Sequence, residues 1–243
     1  MRHLEIARRS GRAHLERVPT GWSVDLDPQT DVDAAIDVLT GALEAVAAQG
    51  GGVLRHWVRA GDPVATAASA ALGLAKEREL HQLRRPLPVD EPWDLDVRPF
   101  VVGQDEAAWL EVNNRAFDGH PEQGGWTLDD LQARMAESWF DPAGFLLCEE
   151  GGRLIGFCWT KAHRHVEPNL GEIYVIAVDP AAGRRGLGRP LTLAGLDHLH
   201  RDGLDVGMLY VDGCNEGGLR LYAKLGFTVH HTDRSYTAKV TAS

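Results

Sequence analysis

The sequence predicts an α/β protein in which helices pack on a mixed β-sheet. Three observations lead there: apolar runs of strand length, amphipathic stretches of helix length, and the alternation of the two along the chain. In the second half the order is β-β-β-α-β-α-β, which is typical of an α/β layer. The first half holds a shorter series of the same kind, so we expect an incomplete copy over residues 1–90 and a complete copy over residues 91–243.

The elements of the second half each have a local signal. Helices are predicted over DEAAWLEVNNRAF and over TLDDLQARMAESW, where Thr127 is the cap and Asp130 stands three residues later. Glu150-Gly151-Gly152 predicts a hairpin within GFLLCEEGGRLIGFCWTKAH. Beyond it the pattern predicts a strand over GEIYVIAV, a helix ending at Gly203, a strand over GMLYVDG, a helix over NEGGLRLYAKLG, and a final strand or hairpin over FTVHHTDRSYTAKV.

The first half repeats this order with matched spacing. VDLDP, VDAAIDVLTGALEAVAAQGG, GVLRHWV and PVATAASAALGL predict strand, helix, strand and helix, and ERELHQLRRPL follows them. Pro28 lies 45 residues before Gly73, and Pro180 lies 46 residues before Gly226. Two such pairs at nearly one spacing indicate a duplication. The stretch at 84–100, with four prolines, predicts a linker or an extended crossing between the copies.

Composition excludes several classes of protein. A net charge of −10 argues against a general nucleic-acid binder, whose affinity needs basic surface. The sequence contains no run of eighteen apolar residues, so no membrane span is predicted. Its N-terminal stretch has no continuous apolar core of the kind that a secretory signal needs. The three cysteines are scattered, which indicates a reducing compartment, and the histidines lack the companion ligands of a metal site. We therefore expect a cytoplasmic protein with no metal, nucleic-acid or membrane partner.

The stretch AVDPAAGRRGLGRPL places cations and glycines where a predicted strand passes into a predicted helix. The first amides of a helix have no partner within it and carry the positive end of its dipole. Gly186 and Gly188 let the backbone approach a ligand, and Arg184 and Arg185 add charge. The motif predicts a binding site for a diphosphate. Taken alone, the same residues would also fit an arginine-rich helix start on a solvated surface.

The two copies differ at this motif. Where the second reads GRRGLG, the first reads QTDVDAA, which holds two aspartates and no glycine. Because aspartate repels a diphosphate, we expect the first copy to bind none. Asn215 stands 11 residues before Gly226, and Asp62 stands 11 residues before Gly73.

Residues 95–243 resemble the GCN5-related N-acetyltransferase superfamily, in which a Q/R-x-x-G-x-G/A loop binds the pyrophosphate of coenzyme A. Here that loop is residues 184–188, preceded by Gly183, and NEGGLRLYAKLGF resembles the second signature. The stretches EVNNRAFDGHPEQGGWT, WFDPAGFLLC, GFCWTKAH and MLYVDGCNEGG resemble the mycothiol synthase family more closely. That family has two tandem acetyltransferase domains, so the resemblance implies that 1–90 is a degenerate domain and 91–243 an acetyl-CoA-dependent one.

The resemblance also implies roles for individual residues. A strand segment would pair with the pantetheine arm, the loop would hold the pyrophosphate, and the next helix start would contact the far side of coenzyme A. These positions are Ile176, Ala177, Val178, Gly183, Arg184, Arg185, Gly186, Leu187, Gly188, Arg189, Asn215, Glu216, Gly217, Gly218, Leu219 and Arg220. The acceptor pocket would be lined by Glu122, Lys161, Glu172 and Tyr210. Glu172 would be the catalytic base and Tyr222 the catalytic acid.

The chemistry of acetyl transfer fits these two roles. An amine must be neutral to attack a thioester, and a carboxylate at Glu172 would take its proton. The departing thiolate needs a proton, which a phenol at Tyr222 would give. Each residue also has an ordinary structural reading: Tyr222 as a core aromatic, Glu172 as a solvated strand start, Lys161 as a polar strand end, and Glu122 as part of a turn.

The family implies transfer of acetyl from acetyl-CoA to the cysteinyl amine of a cysteine–glucosamine–inositol conjugate. Two alternatives stay open: acetylation of another amine, such as an aminoglycoside or a protein N-terminus, and a catalytically silent acyl-CoA-binding or scaffold protein. The expected partner is a small-molecule amine. We expect a monomer, with dimerisation through the incomplete N-terminal half as the alternative.

Overall fold

The computed structural model describes residues 3–28, 31–120, 123–183 and 185–243. Their contacts divide the chain into two compact units. The first unit comprises Met1–Gln82, Val211–Glu216 and Val229–Ser243, and the second comprises Leu83–Tyr210 and Gly217–Thr228. Within the described residues, no helix has the length and apolar content that a membrane crossing requires.

The first unit begins with a three-stranded antiparallel meander. Its elements are β1 (His3–Arg8), β2 (Gly11–Val18), β3 (Gly21–Leu26), α1 (Val32–Ala48), β4 (Gly52–Val58) and α2 (Pro63–Ala71). β3 pairs with β4 in parallel, because α1 carries the chain back over the sheet between them. β4 then pairs antiparallel with β11 (Thr228–Val240), whose residues from Val229 onward belong to this unit.

The core of the first unit forms where the apolar face of α1 packs on alternate strand residues. Val38 and Leu39 of α1 lie among Leu15, Val24 and Leu54, and all five are almost fully buried. The hairpin of β1 and β2 was not predicted from the sequence. The predicted helix, strand and helix of this half are α1, β4 and α2, and a further strand, β5 (Ala75–Pro86), follows α2.

The second unit is a mixed sheet with helices on both faces. Its elements are β6 (Arg98–Pro99), α3 (Glu106–Ala116), α4 (Leu128–Met135), β7 (Phe145–Glu150), β8 (Arg153–His163), β9 (Leu170–Val178), α5 (Gly188–Arg201) and β10 (Val206–Asp212). β6, β7, β8 and β9 pair antiparallel in that order, and β10 pairs with β9 in parallel. After β10 comes α6 (Glu216–Lys224). The predicted α/β fold with a mixed sheet is confirmed.

Consecutive residues of β8 show the two faces. Phe157 and Trp159 lie in the aromatic core with Trp109 of α3, whose ring meets both edge-to-face at 5.3 and 5.9 Å between centroids. Cys158 points to the opposite face, where a Cβ on Gly195 of α5 would lie 2.5 Å from its Sγ. Successive strand residues point to opposite faces, so α3 and α5 cover the two sides of this sheet.

Several local predictions hold in detail. Thr127 and Asp130 form the capping box of α4, each side chain bonding the other residue's amide. Gly151 and Gly152 have φ of 57° and 76°, and the antiparallel pairing of β7 with β8 encloses them. The final stretch is a single strand, β11, rather than a hairpin.

Candidate active site

Strand β9 leaves its parallel neighbour midway along its length. It pairs with β10 from Leu170 to Ile173, whereas its pairing with β8 continues to Val178. The register with β8 shifts at this point, because Val175 faces Trp159 and Ile173 faces the next residue of β8. The extra residue, Tyr174, is a β-bulge, and a bulge bends its strand and increases the local twist. The backbone from Tyr174 to Val178 therefore diverges from β10 and opens one side of β9.

Asp179 anchors the start of the loop that follows β9. This side chain is fully buried and binds Arg115 and Arg153, with Nη2–Oδ2 distances of 2.9 Å in both cases, while it accepts from the Ala181 amide at 2.9 Å. Burial alone would raise the pKa of Asp179, but the bonds from Arg115, Ala181 and Arg153 more than offset it and hold the pKa below its ordinary value. The carboxylate stays charged and fixes the start of the loop.

The glycines of the loop adopt the conformation that the motif predicts. Gly183 and Gly186 have φ of 75° and 73°, which residues with a Cβ rarely adopt, and a Cβ on either would meet nothing within 4 Å. Among the described residues, the amides of Gly186, Leu187 and Gly188 find no hydrogen-bond acceptor, and no side chain caps the start of α5. The loop thus presents bare main-chain donors beside the positive end of a helix dipole.

Of the two arginines of the motif, Arg184 lies outside the described residues. Arg185 points to Glu150 at the end of β7, with Nη–Oε distances of 2.5 and 2.6 Å. That bond raises the pKa of the Arg185 guanidinium. Arg189 lies exposed in the first turn of α5. Among the described residues of the loop, the main-chain amides are therefore free donors, whereas the Arg185 guanidinium is paired.

The second predicted coenzyme A segment opens α6. The helix begins at Glu216 and is short, ending at Lys224. Asn215 and Glu216 belong to the first compact unit, and Gly217, Gly218, Leu219 and Arg220 belong to the second. The turn before them is held by Asp212, which accepts from the Cys214 amide at 3.0 Å.

Glu172 lies buried on β9, just before the bulge. Its side chain is 10% exposed, and its Oε2 lies 2.7 Å from Nε2 of His163 on β8. Lys161 is the residue directly opposite Glu172 in the strand pairing. The Lys161 ammonium lies instead over the rings of Trp139 and Tyr174, at 4.4 and 5.5 Å from the centroids. Cation–π attraction holds the Lys161 ammonium over these rings, and His163 rather than Lys161 forms the hydrogen bond to the Glu172 carboxylate.

A cavity of about 430 Å³ opens beside these residues. Its lining residues include Lys161, His163, His165, Trp139 and Asp141. An aromatic wall with several polar groups is typical of a pocket for a small polar ligand. The sequence pointed to Lys161 but gave His163 and Trp139 no role; the alternation of β8 would have placed His163 on the same face as Lys161.

Tyr222 is buried on α6. Its ring meets Phe227 at 5.8 Å between centroids in an edge-to-face arrangement. Burial raises the pKa of Tyr222 to about 12, with a further contribution from the buried thiol of Cys158. The phenol therefore holds its proton throughout the neutral range. Within the described part of the chain, no hydrogen bond joins Tyr222 to Glu172.

Tyr210 and Glu122 are the two remaining residues predicted to line the acceptor pocket. Tyr210 lies near the end of β10 and is 41% exposed, one residue beyond the last pair that β10 makes with β9. Glu122 lies outside the described residues.

Comparison with known proteins identifies the family. The model of the Acetyltransferase (GNAT) family matches residues 107–227. Over 80% of this chain, the sequence is 52% identical to mycothiol acetyltransferase of Thermomonospora curvata, covering 66% of that protein. It is 49% identical to mycothiol acetyltransferase of Thermobispora bispora, covering 80% of this chain and 68% of that one. The chain belongs to the mycothiol acetyltransferase family.

Membership in this family confirms the resemblance seen in the motifs. The chain spans about two thirds of the length of the two relatives, 66% and 68%. A solved GCN5-related N-acetyltransferase from Sphaerobacter thermophilus superimposes with a TM-score of 0.75 over 96% of this chain and 78% of that one, at 20% identity. That similarity shows the acetyltransferase fold.

Proposed function

We propose that this chain transfers the acetyl group of acetyl-CoA to the cysteinyl amine of a cysteine–glucosamine–inositol conjugate, the last step of mycothiol formation. One observation carries the proposal: β9 separates from β10 after Ile173 and runs into a glycine loop whose amides at Gly186, Leu187 and Gly188 have no described acceptor. Relatives about half identical in sequence bear the name mycothiol acetyltransferase.

The residues present fit acetyl-CoA. The open side of β9 at Ile176, Ala177 and Val178 offers main-chain groups to an amide-containing arm. The space around Gly183 and Gly186, where a Cβ would meet nothing within 4 Å, admits a bulky diphosphate. Residues 183–189 would hold the diphosphate, and residues 215–220 at the start of α6 would contact the far side of the nucleotide. Bound there, acetyl-CoA supplies the thioester.

Glu172 is the proposed base. Its carboxylate precedes the open part of β9 by two residues, close to where the acetyl end of an arm along that strand would lie. An α-amino group has a pKa of roughly 8, so a carboxylate at neutral pH has only a modest task in removing its proton. An amide between Ile176 and Val178 that points away from β8 would donate to the oxygen that gains charge when the amine attacks.

Tyr222 is the proposed acid. A phenol is fully protonated at neutral pH and would donate to the departing sulfur. Because burial raises the pKa of Tyr222 to about 12, this phenol is a weaker acid than an exposed tyrosine. Its burial excludes water from the proton that it donates.

Lys161, Glu172, Tyr210 and Glu122 are the proposed acceptor-binding residues. The cavity of about 430 Å³ beside Lys161 and His163 has room for a sugar conjugate, and its polar rim suits hydroxyl groups. The partner is thus a small molecule rather than a macromolecule.

For the domains, we propose that residues 1–90 are a degenerate acetyltransferase-like domain and residues 91–243 the acetyl-CoA-dependent one. Asp31 and Asp62 fill the two helix starts of the first half with carboxylates, which supports the loss of donor binding there. We further propose that the chain acts as a monomer in the cytoplasm, where its free cysteines Cys148, Cys158 and Cys214 stay reduced.

The decisive experiment incubates the protein with acetyl-CoA and the cysteinyl pseudodisaccharide, and follows released thiol together with product mass. We expect one acetyl group on the cysteinyl nitrogen. Turnover of an aminoglycoside or a peptide amine in its place would change the acceptor but keep the reaction. Acetyl-CoA binding with no amine acetylated would point to a silent acyl-CoA-binding protein and overturn the proposal.

A further inference from the structure

The hydrogen bond between His163 and Glu172 joins two neighbouring strands on the diagonal. In the pairing of β8 with β9, Lys161 faces Glu172 and His163 faces Leu170. His163 therefore lies on the same face as Glu172, two residues further along β8. Diagonal neighbours in an antiparallel pair are within reach of long or aromatic side chains. The distance of 2.7 Å from Nε2 to Oε2 is that of a charge-assisted hydrogen bond.

Glu172 depends on this one bond for its orientation. Within the described residues, His163 is the one hydrogen-bond partner of the Glu172 carboxylate. The facing cation, Lys161, is held over Trp139 and Tyr174 instead. With the Glu172 side chain 10% exposed, water has little access to substitute for a lost partner. Removing the imidazole would leave a buried carboxylate free to turn about its terminal torsion.

We propose that His163 is a positioning residue for Glu172. A carboxylate can only accept, so Nε2 of His163 carries the hydrogen and donates it to Oε2. This leaves Oε1 to take the proton of the amine, beside the cavity that His163 lines. The inference rests on the proposed function, because it assigns to His163 the task of holding the base of that reaction.

The site offers few competing partners for either group. The charged and titratable groups that line the cavity with His163 are Lys161, Arg164, His165, Asp141 and Asp202. Arg164 is bound to Asp202 at 2.5 Å, and Asp141 lies 3.7 Å from Nε2 of His198. Glu172 is the carboxylate that His163 reaches.

The first test replaces His163 with Ala, Gln or Asn and measures kcat and the two KM values. Because Gln can place its amide nitrogen near the position of Nε2 and Asn near that of Nδ1, H163Q should keep most of the activity and H163N should not. For H163A and H163N we expect kcat to fall roughly 10- to 100-fold, with the KM for acetyl-CoA unchanged, since a misplaced base slows the chemical step. Equal losses in all three variants would overturn the proposal.

The second test is a double-mutant cycle with Glu172→Gln. If His163 acts through Glu172, adding H163A to E172Q should lower kcat by less than about twofold, because the group it positions is already gone. A purely structural histidine would impose its full loss in both backgrounds, and that outcome would refute the role. His14 is the matched control, because its exposed side chain on β2 also lies near a carboxylate, with Nε2 3.4 Å from Asp27, so H14A should leave kcat unchanged.

A third readout needs neither substrate nor turnover. Long-range ¹H–¹⁵N spectra of the histidine-labelled protein should show His163 with its hydrogen on Nε2, and E172Q should shift that resonance. A tautomer with the hydrogen on Nδ1 would contradict the assignment. A wild-type protein that acetylates no amine would defeat the proposed function itself, whereas an active wild type with no difference among the His163 variants would defeat only the present inference.

Discussion

The two strand–helix–strand–helix regions, residues 21–73 and 170–226, follow one chain course but differ at the starts of their helices. In the first, Asp31 caps α1 by accepting from the Ala34 amide at 2.8 Å, and Asp62 caps α2. In the second, α5 starts at Gly188 with no side-chain cap among the described residues. The first amides of α1 and α2 thus already have a carboxylate of the protein as acceptor, whereas the start of α5 leaves its amides available to an external anion.

The strands before those helices differ as well. β3 pairs with β2 without interruption from Gly21 to Leu26, whereas β9 has a bulge at Tyr174. The parallel pairing of β3 ends at Val24, two residues before that strand stops, and that of β9 ends at Ile173, five residues before its strand stops. The second region therefore exposes a longer open strand edge, and the bulge is what separates it from its neighbour.

The proposed catalytic groups also have different counterparts in the first region. Glu172 stands eight residues before Pro180, and Thr20 stands eight residues before Pro28. Tyr222 stands four residues before Gly226, and Ser69 stands four residues before Gly73. Ser69 is buried and bonds to Nδ1 of His56 at 2.9 Å. The first region thus has neither a carboxylate nor a phenol at these positions, and its polar pair lies inside its core.

The largest effect should come from the base. Glu172→Gln should lower kcat at neutral pH by roughly 10²- to 10³-fold, because general-base assistance is lost. The remaining rate should rise only as the amine loses its own proton, near a pKa of about 8. The pH profile of kcat/KM measures this. The control is Thr20→Ala at the matching position of the first region, which should change neither the rate nor the pH profile. A pH profile of E172Q that equals that of the wild type would show that Glu172 is not the base.

Protonation of His56 at acidic pH should lower the stability of the first region. Burial lowers the pKa of His56 to about 4, although Asp25 and Asp62 act in the opposite direction. The buried neutral imidazole stabilises the fold fully above its ordinary pKa of about 6.5, and this stability is lost as the pH falls toward 4. The shift corresponds to about 3 kcal/mol. Urea unfolding at pH 7 and pH 4.5 should show a smaller acid loss in His56→Gln than in the wild type, while His14→Gln should follow the wild type.

A carboxylate placed at the start of α5 should make the second region behave like the first. Leu187→Asp would repel a diphosphate and offer its own oxygens to the bare amides, so we expect acetyl-CoA affinity to fall by about 2 kcal/mol, or roughly 30-fold. Calorimetric titration measures this. Leu187→Asn offers a similar cap without the charge and should lose much less. Equal losses in the two variants would show that charge at this helix start is unimportant.

The smallest effect should come from the reverse change. Asp31→Ala removes the cap of α1 and should cost about 1 kcal/mol of unfolding free energy, a drop of roughly 2–4 °C in Tm. Asp33→Ala, in the first turn but outside the cap, should cost less. Neither change should create acetyl-CoA uptake, since Asp25 and Asp62, which line a cavity of about 220 Å³ in this region, remain in place. Uptake by Asp31→Ala would mean that a single carboxylate silences this region.

The sequence predicted those parts of the fold that depend on neighbours in the chain. The hairpin at Gly151-Gly152 and the capping box of Thr127 follow from local chemistry and are confirmed. The hairpin of β1 and β2 was missed although HLEIAR alternates apolar and other residues, because its turn at Arg9-Ser10 has a weak turn signal. The final stretch was left as a strand or a hairpin, since its pairing with β4 involves residues far apart in sequence.

The site was less predictable, and for a physical reason. The glycine loop was predicted from residue types and spacing, and Glu172 from the resemblance to a known family. The bond from His163 to Glu172 depends on the cross-strand register of β8 and β9, which the bulge at Tyr174 shifts by one residue. The position of Lys161 over Trp139 joins β8 to the segment after α4. Contacts of this kind come from tertiary packing, which single-sequence patterns do not encode.

The buried carboxylate of Asp179 has a thermodynamic consequence for ligand capture. Two arginines, Arg115 from a helix and Arg153 from a strand, together with the Ala181 amide, immobilise the first turn of the loop during folding. The ordering entropy of that turn is therefore spent before any nucleotide arrives. Such preorganisation would lower the entropic cost of binding the proposed nucleotide, whereas a loop without this anchor would have to become ordered each time the nucleotide bound.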